Sequence, residues 1–311
     1  MINFKIKNIP IRKKGVLAPM QEYTHLPFRL LCKDYQVGLS YTEMVNINHI
    51  IQYKEDLSKL DLLESTEKES PVSLQLFGDL SLKKTITASH LIDDYKYFDV
   101  IDFNLGCPSL KIINSKSGSY NLKQLDKVYP ILKEIISTSK KPITVKVRLG
   151  FKEDILESMV NNFEKIGVSA IAIHGRLAKE NYSVPSKISR VEEIKKITSL
   201  PIIYNGDVSE TNLGQINHFS GLMVGREALG NPFIFKQIDY FSKNNVLLEK
   251  DTSYDALFSF LEYVKKYPIS FSKLKVSLIP FFKGKQGSAR IRELLSKSKD
   301  FKEISNILKS L

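Results

Sequence analysis

Eight short apolar runs alternating with helical patterns constrain this chain more than anything else in it. They fall at residues 16–19, 39–44, 72–77, 100–105, 143–148, 170–174, 202–205 and 221–225. Short β-rich runs separated by helical stretches are the mark of parallel β/α units. Eight such units close a TIM barrel, and 311 residues suffice for that barrel with a small module beside it. The intervening segments carry the helical period. Over 126–137, Val128, Ile131, Leu132 and Ile135 share a stripe. Over 154–166, Ile155, Met159, Phe163 and Ile166 do the same, with Asp154 placed to cap. Pro142 and Pro201 each precede an apolar run, and proline is tolerated at the first residue of a strand. A doubly wound open sheet ranks second, because no G-x-G-x-x-G turn follows the first strand.

After residue 240 the strand pattern stops. Helical patterns follow at 253–266, 273–282 (interrupted by Pro280), 288–296 and 301–311. The expected architecture is therefore a (β/α)8 TIM barrel over residues 1–240 followed by a small all-helical C-terminal domain over 241–311. Charge separates the same two regions. Residues 241–311 hold 14 Lys+Arg against 7 Asp+Glu, more than half of the net +12 of the whole chain. A basic helical module points to a polyanion, most simply a nucleic acid. Two cysteines, Cys32 and Cys107, are too few and too far apart for a disulfide framework or a Cys/His metal site, which suits a cytoplasmic protein without metal. Residues 1–15 have no apolar core of a secretory signal, and no run reaches the length of a membrane span.

In a TIM barrel the chemistry sits at the C-terminal ends of the strands. Those ends here read Ala18-Pro19-Met20, Gln75 before Phe77-Gly78, Asn104-Leu105-Gly106-Cys107-Pro108, Lys146 and Arg148, His174-Gly175-Arg176, Asn205-Gly206-Asp207 and Gly225-Arg226. A cysteine between Gly106 and Pro108, just past a buried strand, sits on a loop at the barrel mouth. Parallel barrel strands are covered on both faces, so Lys146 must point where something stabilises its charge, and a mouth holding an anionic ligand would do so. Loops after the seventh and eighth strands often bind phosphate through backbone N–H groups. Gly206, Gly225 and Arg226 stand there. A flavin with its terminal phosphate fits these parts together. A small sugar phosphate is the lesser alternative.

These segments, together with Pro27-Phe28-Arg29, Tyr41-Thr42-Glu43-Met44 and Gly230-Asn231-Pro232, resemble the tRNA-dihydrouridine synthases in order and spacing over roughly residues 15–235. The resemblance implies an FMN-binding barrel followed by a helical tRNA-binding domain. It implies that Pro19, Met20, Gln75, Lys146, His174, Asn205, Gly206, Asp207, Gly225 and Arg226 contact FMN. Cys107 would donate a proton to uridine C5 while FMN N5 delivers a hydride to C6, and NADPH (or NADH) would recharge the flavin. An ordinary thiol is protonated at neutral pH and can serve as that acid. Asn104 and Arg176 would lie beside the uracil, and Lys283, Arg290 and Arg292, with Lys273, Lys275 and Lys285, would meet tRNA phosphates. The protein is expected to be a monomer. The sequence departs from the family at Gln21-Glu22-Tyr23-Thr24-His25, at Lys116-Ser117-Gly118-Ser119 and after Arg176, all on the substrate side. His25, His49, His90 and His218 read as structural or surface residues, and Cys32 as core. Two rival readings remain: a dihydroorotate-dehydrogenase-like FMN enzyme acting on a free pyrimidine, and a non-catalytic tRNA-binding protein.

Overall fold

The computed structural model describes residues 2–249, 253–284 and 288–309. A hairpin of β1 (Phe4–Ile6) and β2 (Ile9–Ile11) precedes β3 (Gly15–Leu17), β4 (Leu39–Asn46), β5 (Val72–Phe77), β6 (Val100–Leu105), β7 (Ile143–Arg148), β8 (Ile171–His174), β9 (Ile202–Asn205) and β10 (Gly221–Val224). Strands β3 to β10 form a closed barrel in sequence order, with β10 pairing back onto β3. Every barrel pair is parallel. β5, β6, β7 and β9 coincide with the apolar runs, because continuous burial selects continuous apolar sequence.

The N-terminal hairpin is the element that sequence periodicity missed. Phe4, Ile6 and Ile11 are buried and close the bottom of the barrel, packing with Val16, Leu39, Val100, Ala170 and Ile203. Burying such side chains contributes about 1.5–3 kcal/mol each. The hairpin is antiparallel and pairs with no barrel strand, so Pro10 costs no barrel hydrogen bond.

The last barrel helix runs Phe233–Asn244, so the boundary expected at residue 240 falls inside it. Asn245 ends that helix in the left-handed conformation, and the chain enters the helical module beyond it. The module contains helices Asp255–Lys266, Phe271–Leu278, Ser288–Lys297 and Phe301–Lys309. The helical pattern expected over 273–282 is two elements, because Pro280 opens a separate 3-10 turn, Ile279–Phe282. The barrel touches this turn closely at Gly230 (φ +69°), where a Cβ would lie 2.3 Å from the Pro280 carbonyl carbon.

Two polar contacts one helical turn apart seat the module on β4 and on the loop after β3. Lys273 Nζ pairs with Glu43 Oε2 at 2.7 Å, and Ser277 Oγ lies 3.0 Å from His25 Nε2. His25 is buried, and burial, reinforced by Lys273 and Arg29, pulls its pKa from 6.5 down to about 3. It is thus neutral in the fold yet takes up a proton near pH 6.5 when unfolded. Its contribution to stability is complete above pH 6.5 and is lost as pH falls toward 3. The stability advantage of the parent over His25→Gln therefore shrinks by about 1.4 kcal/mol per pH unit below pH 6.5. Urea unfolding of both proteins from pH 7 to 4 measures this, and a pH-independent difference contradicts it.

Candidate active site

Two cavities open at the C-terminal ends of the strands. The first, about 460 Å³, is lined by Ala18, Pro19, Met20, Lys146, His174, Arg176, Asn205, Gly206, Asp207, Gly225 and Arg226 among others. The second, about 750 Å³, contains Met44, Asn104, Cys107, Arg148 and the first turns after β3 and β6. Pro19, Met20, Lys146, His174 and Tyr182 line both, so they form one trough with a shared waist.

The waist is held by directed hydrogen bonds. Lys146 extends from β7 and donates to Asn205 Oδ1 at 2.9 Å, while Asn205 Nδ2 donates to the Met223 carbonyl on β10 at 2.9 Å. That pair of bonds fixes the amide of Asn205. Lys146 faces the trough but is otherwise enclosed; burial first, and then the charge of Arg148, lowers its pKa to about 8. His174 Nε2 is 2.9 Å from Arg176 Nη1. A guanidinium only donates, so Nε2 accepts and the imidazole is neutral. Burial and the surrounding Lys146, Arg148, Arg176 and Arg226 hold the His174 pKa down at about 2.

Cys107 is held by its backbone. Asn104 Oδ1 accepts from the N–H of Gly106 at 3.1 Å and of Cys107 at 2.9 Å, closing the turn past β6. The Cys107 carbonyl accepts from Ser119 N–H at 3.0 Å, and the thiol side is partly exposed to the second cavity. Below it runs a buried chain that sequence reasoning missed. Asn104 Nδ2 donates to Gln75 Oε1 at 2.8 Å; Gln75 Nε2 donates to Asp102 Oδ2 at 2.7 Å; Thr144 Oγ1 donates to Asp102 Oδ1 at 2.6 Å. Asp102 is fully buried, and burial lifts its pKa to about 7 against the pull of Thr144, Gln75 and Lys146. The alternation of Asp102 with Asn104 on β6 was the signal for it.

Several of these side chains lie elsewhere than their positions in the sequence suggest. Gln75 lines neither cavity; it lies beneath the floor with both ends of its amide engaged. Arg176, expected beside the uracil, lines the first cavity; it is buried, pairs with Asp207 and donates to the Val184 carbonyl. Lys283 lies at the rim of the first cavity. Arg292 donates to the Phe282 carbonyl at 3.0 Å and to Ser288 Oγ at 2.9 Å, so it braces the turn that carries Lys283. Arg290 is exposed. Lys273 is engaged by Glu43, Lys275 donates to the Ser298 carbonyl at 3.0 Å, and Lys285 lies outside the described residues. Cys32 is buried in the core. Tyr182 had no motif to mark it. Its ring stands 4.0 Å from the Arg226 guanidinium and walls both cavities.

Do these residues fit a flavin phosphate? The first cavity joins a cationic waist to a glycine-walled end. At Gly225 an added Cβ would project toward Met20 Sδ at 3.7 Å, into the cavity. At Gly206 (φ +121°) it would strike Ser186 Oγ at 2.3 Å. Arg226 stands there partly exposed, 3.5 Å from Asp207. The donor set suits an apolar, hydrogen-bonding ring with an anionic tail. Among the described residues no group of His, Cys, Asp and Glu could hold a metal ion, and no helix is long and apolar enough to cross a membrane.

The barrel matches the solved structure of an old yellow enzyme homologue from Zymomonas mobilis, with a TM-score of 0.52 over 86% of this chain and 98% of that one. At 11% identity the likeness is one of fold. Sequence relatives are much nearer. A probable tRNA-dihydrouridine synthase of Aquifex aeolicus is 32% identical over 303 residues, 94% of each chain. One from Helicobacter pylori is 35% identical over 231 residues, 71% of this chain and 69% of its own. A tRNA-dihydrouridine synthase B of Xanthomonas campestris is 30% identical over 245 residues, 76% and 72%. The family model described as Dihydrouridine synthase (Dus) matches residues 16–310, the barrel and the helical module together. With barrel, trough and module all inside that match, the chain belongs to the dihydrouridine synthase family.

Proposed function

We propose that this chain is an FMN-dependent tRNA-dihydrouridine synthase that reduces the C5–C6 double bond of specific uridines in tRNA, with NADPH (or NADH) as the electron source. The observation that carries the reading is the trough itself: Lys146 and Cys107 open into one continuous space, a cationic end beside a thiol. FMN, when bound in the first cavity, supplies the hydride for uridine C6. Lys146, His174, Asn205, Gly206, Asp207, Gly225 and Arg226 would hold it, with Pro19 and Met20 as the apolar bed.

The remaining work belongs to this chain's own side chains. Asn104, oriented from below by Gln75, aims the Gly106–Cys107 turn at the second cavity. Cys107 gives its thiol proton to C5 of the base and is later reprotonated from solvent through its exposed side. Arg148, fixed by the carbonyls of Leu177 and Glu180 at 2.8 and 3.1 Å, presents a guanidinium to the same cavity for the uracil carbonyls. A uridine inside folded tRNA reaches this depth only after extrusion from its stack. The basic helical module, with Arg290 exposed and Lys283 at the rim, supplies charge for the phosphates around the extruded nucleotide. In this reading the protein acts as a monomer in the cytoplasm.

Anaerobic reoxidation of the NADPH-reduced protein tests the proposal against its rivals. Unmodified tRNA is expected to reoxidise the flavin, and free uridine or orotate is not. Reoxidation by a free pyrimidine without tRNA would favour a free-pyrimidine enzyme. A colourless protein that binds tRNA would favour a non-catalytic role.

A further inference from the structure

The loop Gln21–His25 is one of three places where this chain departs from the family pattern, and it lies against the helical module through His25 and beside the second cavity. Gln21 and Glu22 line that cavity. Glu22 adopts φ +70°, a left-handed conformation that a glutamate rarely takes, so the turn needs outside support. The support is Glu43, on β4. Its side chain is only 3% exposed. Oε1 accepts from the Glu22 N–H at 2.7 Å and from Gln21 Nε2 at 3.2 Å, while Oε2 takes Lys273 Nζ at 2.7 Å. Next along β4, Met44 lines the second cavity, its sulfur 2.9 Å from Asn104 Nδ2. One carboxylate therefore joins the cavity wall, the strand behind Asn104 and the helix Phe271–Leu278 of the module.

We propose that Glu43 is a positioning residue for the substrate-side cavity: it fixes the Gln21–Glu22 turn and ties that turn to Lys273, so that the seating of the helical module sets the wall against which the extruded base is placed. This rests on the reading of the trough as a uridine site. It also explains why Lys273 is not available as a phosphate contact. A buried carboxylate needs a partner, and Lys273 is that partner.

The test separates the hydrogen bond from the charge. In Glu43→Gln/Lys273→Met both charges are gone, and the amide oxygen still accepts from the Glu22 N–H. In Glu43→Ala/Lys273→Met both charges are gone and the turn loses its acceptor. Neither double variant buries an unpaired charge, and Lys273 is absent from both, so any direct role of that lysine cancels. Steady-state kinetics with tRNA and stopped-flow reduction of the bound flavin by NADPH are measured on each. The alanine pair is expected to have a tRNA KM higher, or a tRNA kcat lower, by about tenfold relative to the glutamine pair. The two pairs are expected to agree within about twofold in NADPH-driven reduction, because the turn borders the substrate side. Equal tRNA kinetics in the two pairs, or parallel losses in both half-reactions, would overturn the proposal. A parent inactive on tRNA would overturn the uridine-site reading and this inference with it.

Discussion

Cys107→Ala is expected to retain bound flavin and normal reduction by NADPH, while its turnover on intact tRNA falls by about 10²–10⁴-fold, the usual worth of a positioned general acid. The structure sharpens this expectation because His174, Asp102 and Cys32 are poor donors by geometry. His174 is neutral, and its Nε2 accepts from Arg176. Asp102 is fully buried beneath Gln75 and lines neither cavity. Cys32 is buried in the core and cannot substitute. Lys146, with a pKa of about 8 and a position at the waist, is the serious competitor. Its ammonium, however, is directed toward Asn205 on the first-cavity side. Stopped-flow absorbance of the flavin separates the two half-reactions. Turnover of Cys107→Ala within about fivefold of the parent would move the acid role to Lys146.

Lys146→Met is expected to have the second large effect, on the other half-reaction. Removing the ammonium takes away the positive charge that would face negative charge building up on the cofactor ring as it is reduced. Preorganised charges of this kind are worth on the order of 10²–10³ in rate, so flavin reduction by NADPH should slow by about that factor and flavin content should drop. Stability moves the opposite way. The pKa of Lys146 is held below its unfolded value, so carrying its charge in the fold costs stability that returns only as pH rises above 8. Methionine removes that cost without breaking an ion pair, since the hydrogen-bond partner is the neutral amide of Asn205. The cofactor-free variant should therefore melt no lower than the parent at pH 7. A lower melting temperature together with lost activity would mean that Lys146 is structural.

The barrel was legible because closure of a parallel sheet buries both faces of its strands, and double burial writes itself as apolar runs such as 72–77 and 143–148. The hairpin β1–β2 was not, since three-residue strands carry too little periodicity to separate from a loop. Strand ends could be read for direction: Lys146, His174 and Asn205 all line the trough. Their depth was harder to read. Period two says that Gln75 and Asp102 face inward but not that they lie below the floor. Residues on loops and module helices were the least legible. Arg176, Arg292 and Lys273 look alike as free charges in the sequence, yet each is engaged by a partner distant in sequence: Asp207, the Phe282 carbonyl and Glu43. Nothing local in the sequence announces those pairs.

Position-resolved mass spectrometry of nucleosides, on tRNA from cells lacking this protein, tests the central claim most directly. The account predicts that dihydrouridine disappears at one or more positions, returns when the parent chain is restored, and does not return with Cys107→Ala. Dihydrouridine unchanged at every position, in cells with no second enzyme of this kind, would contradict it.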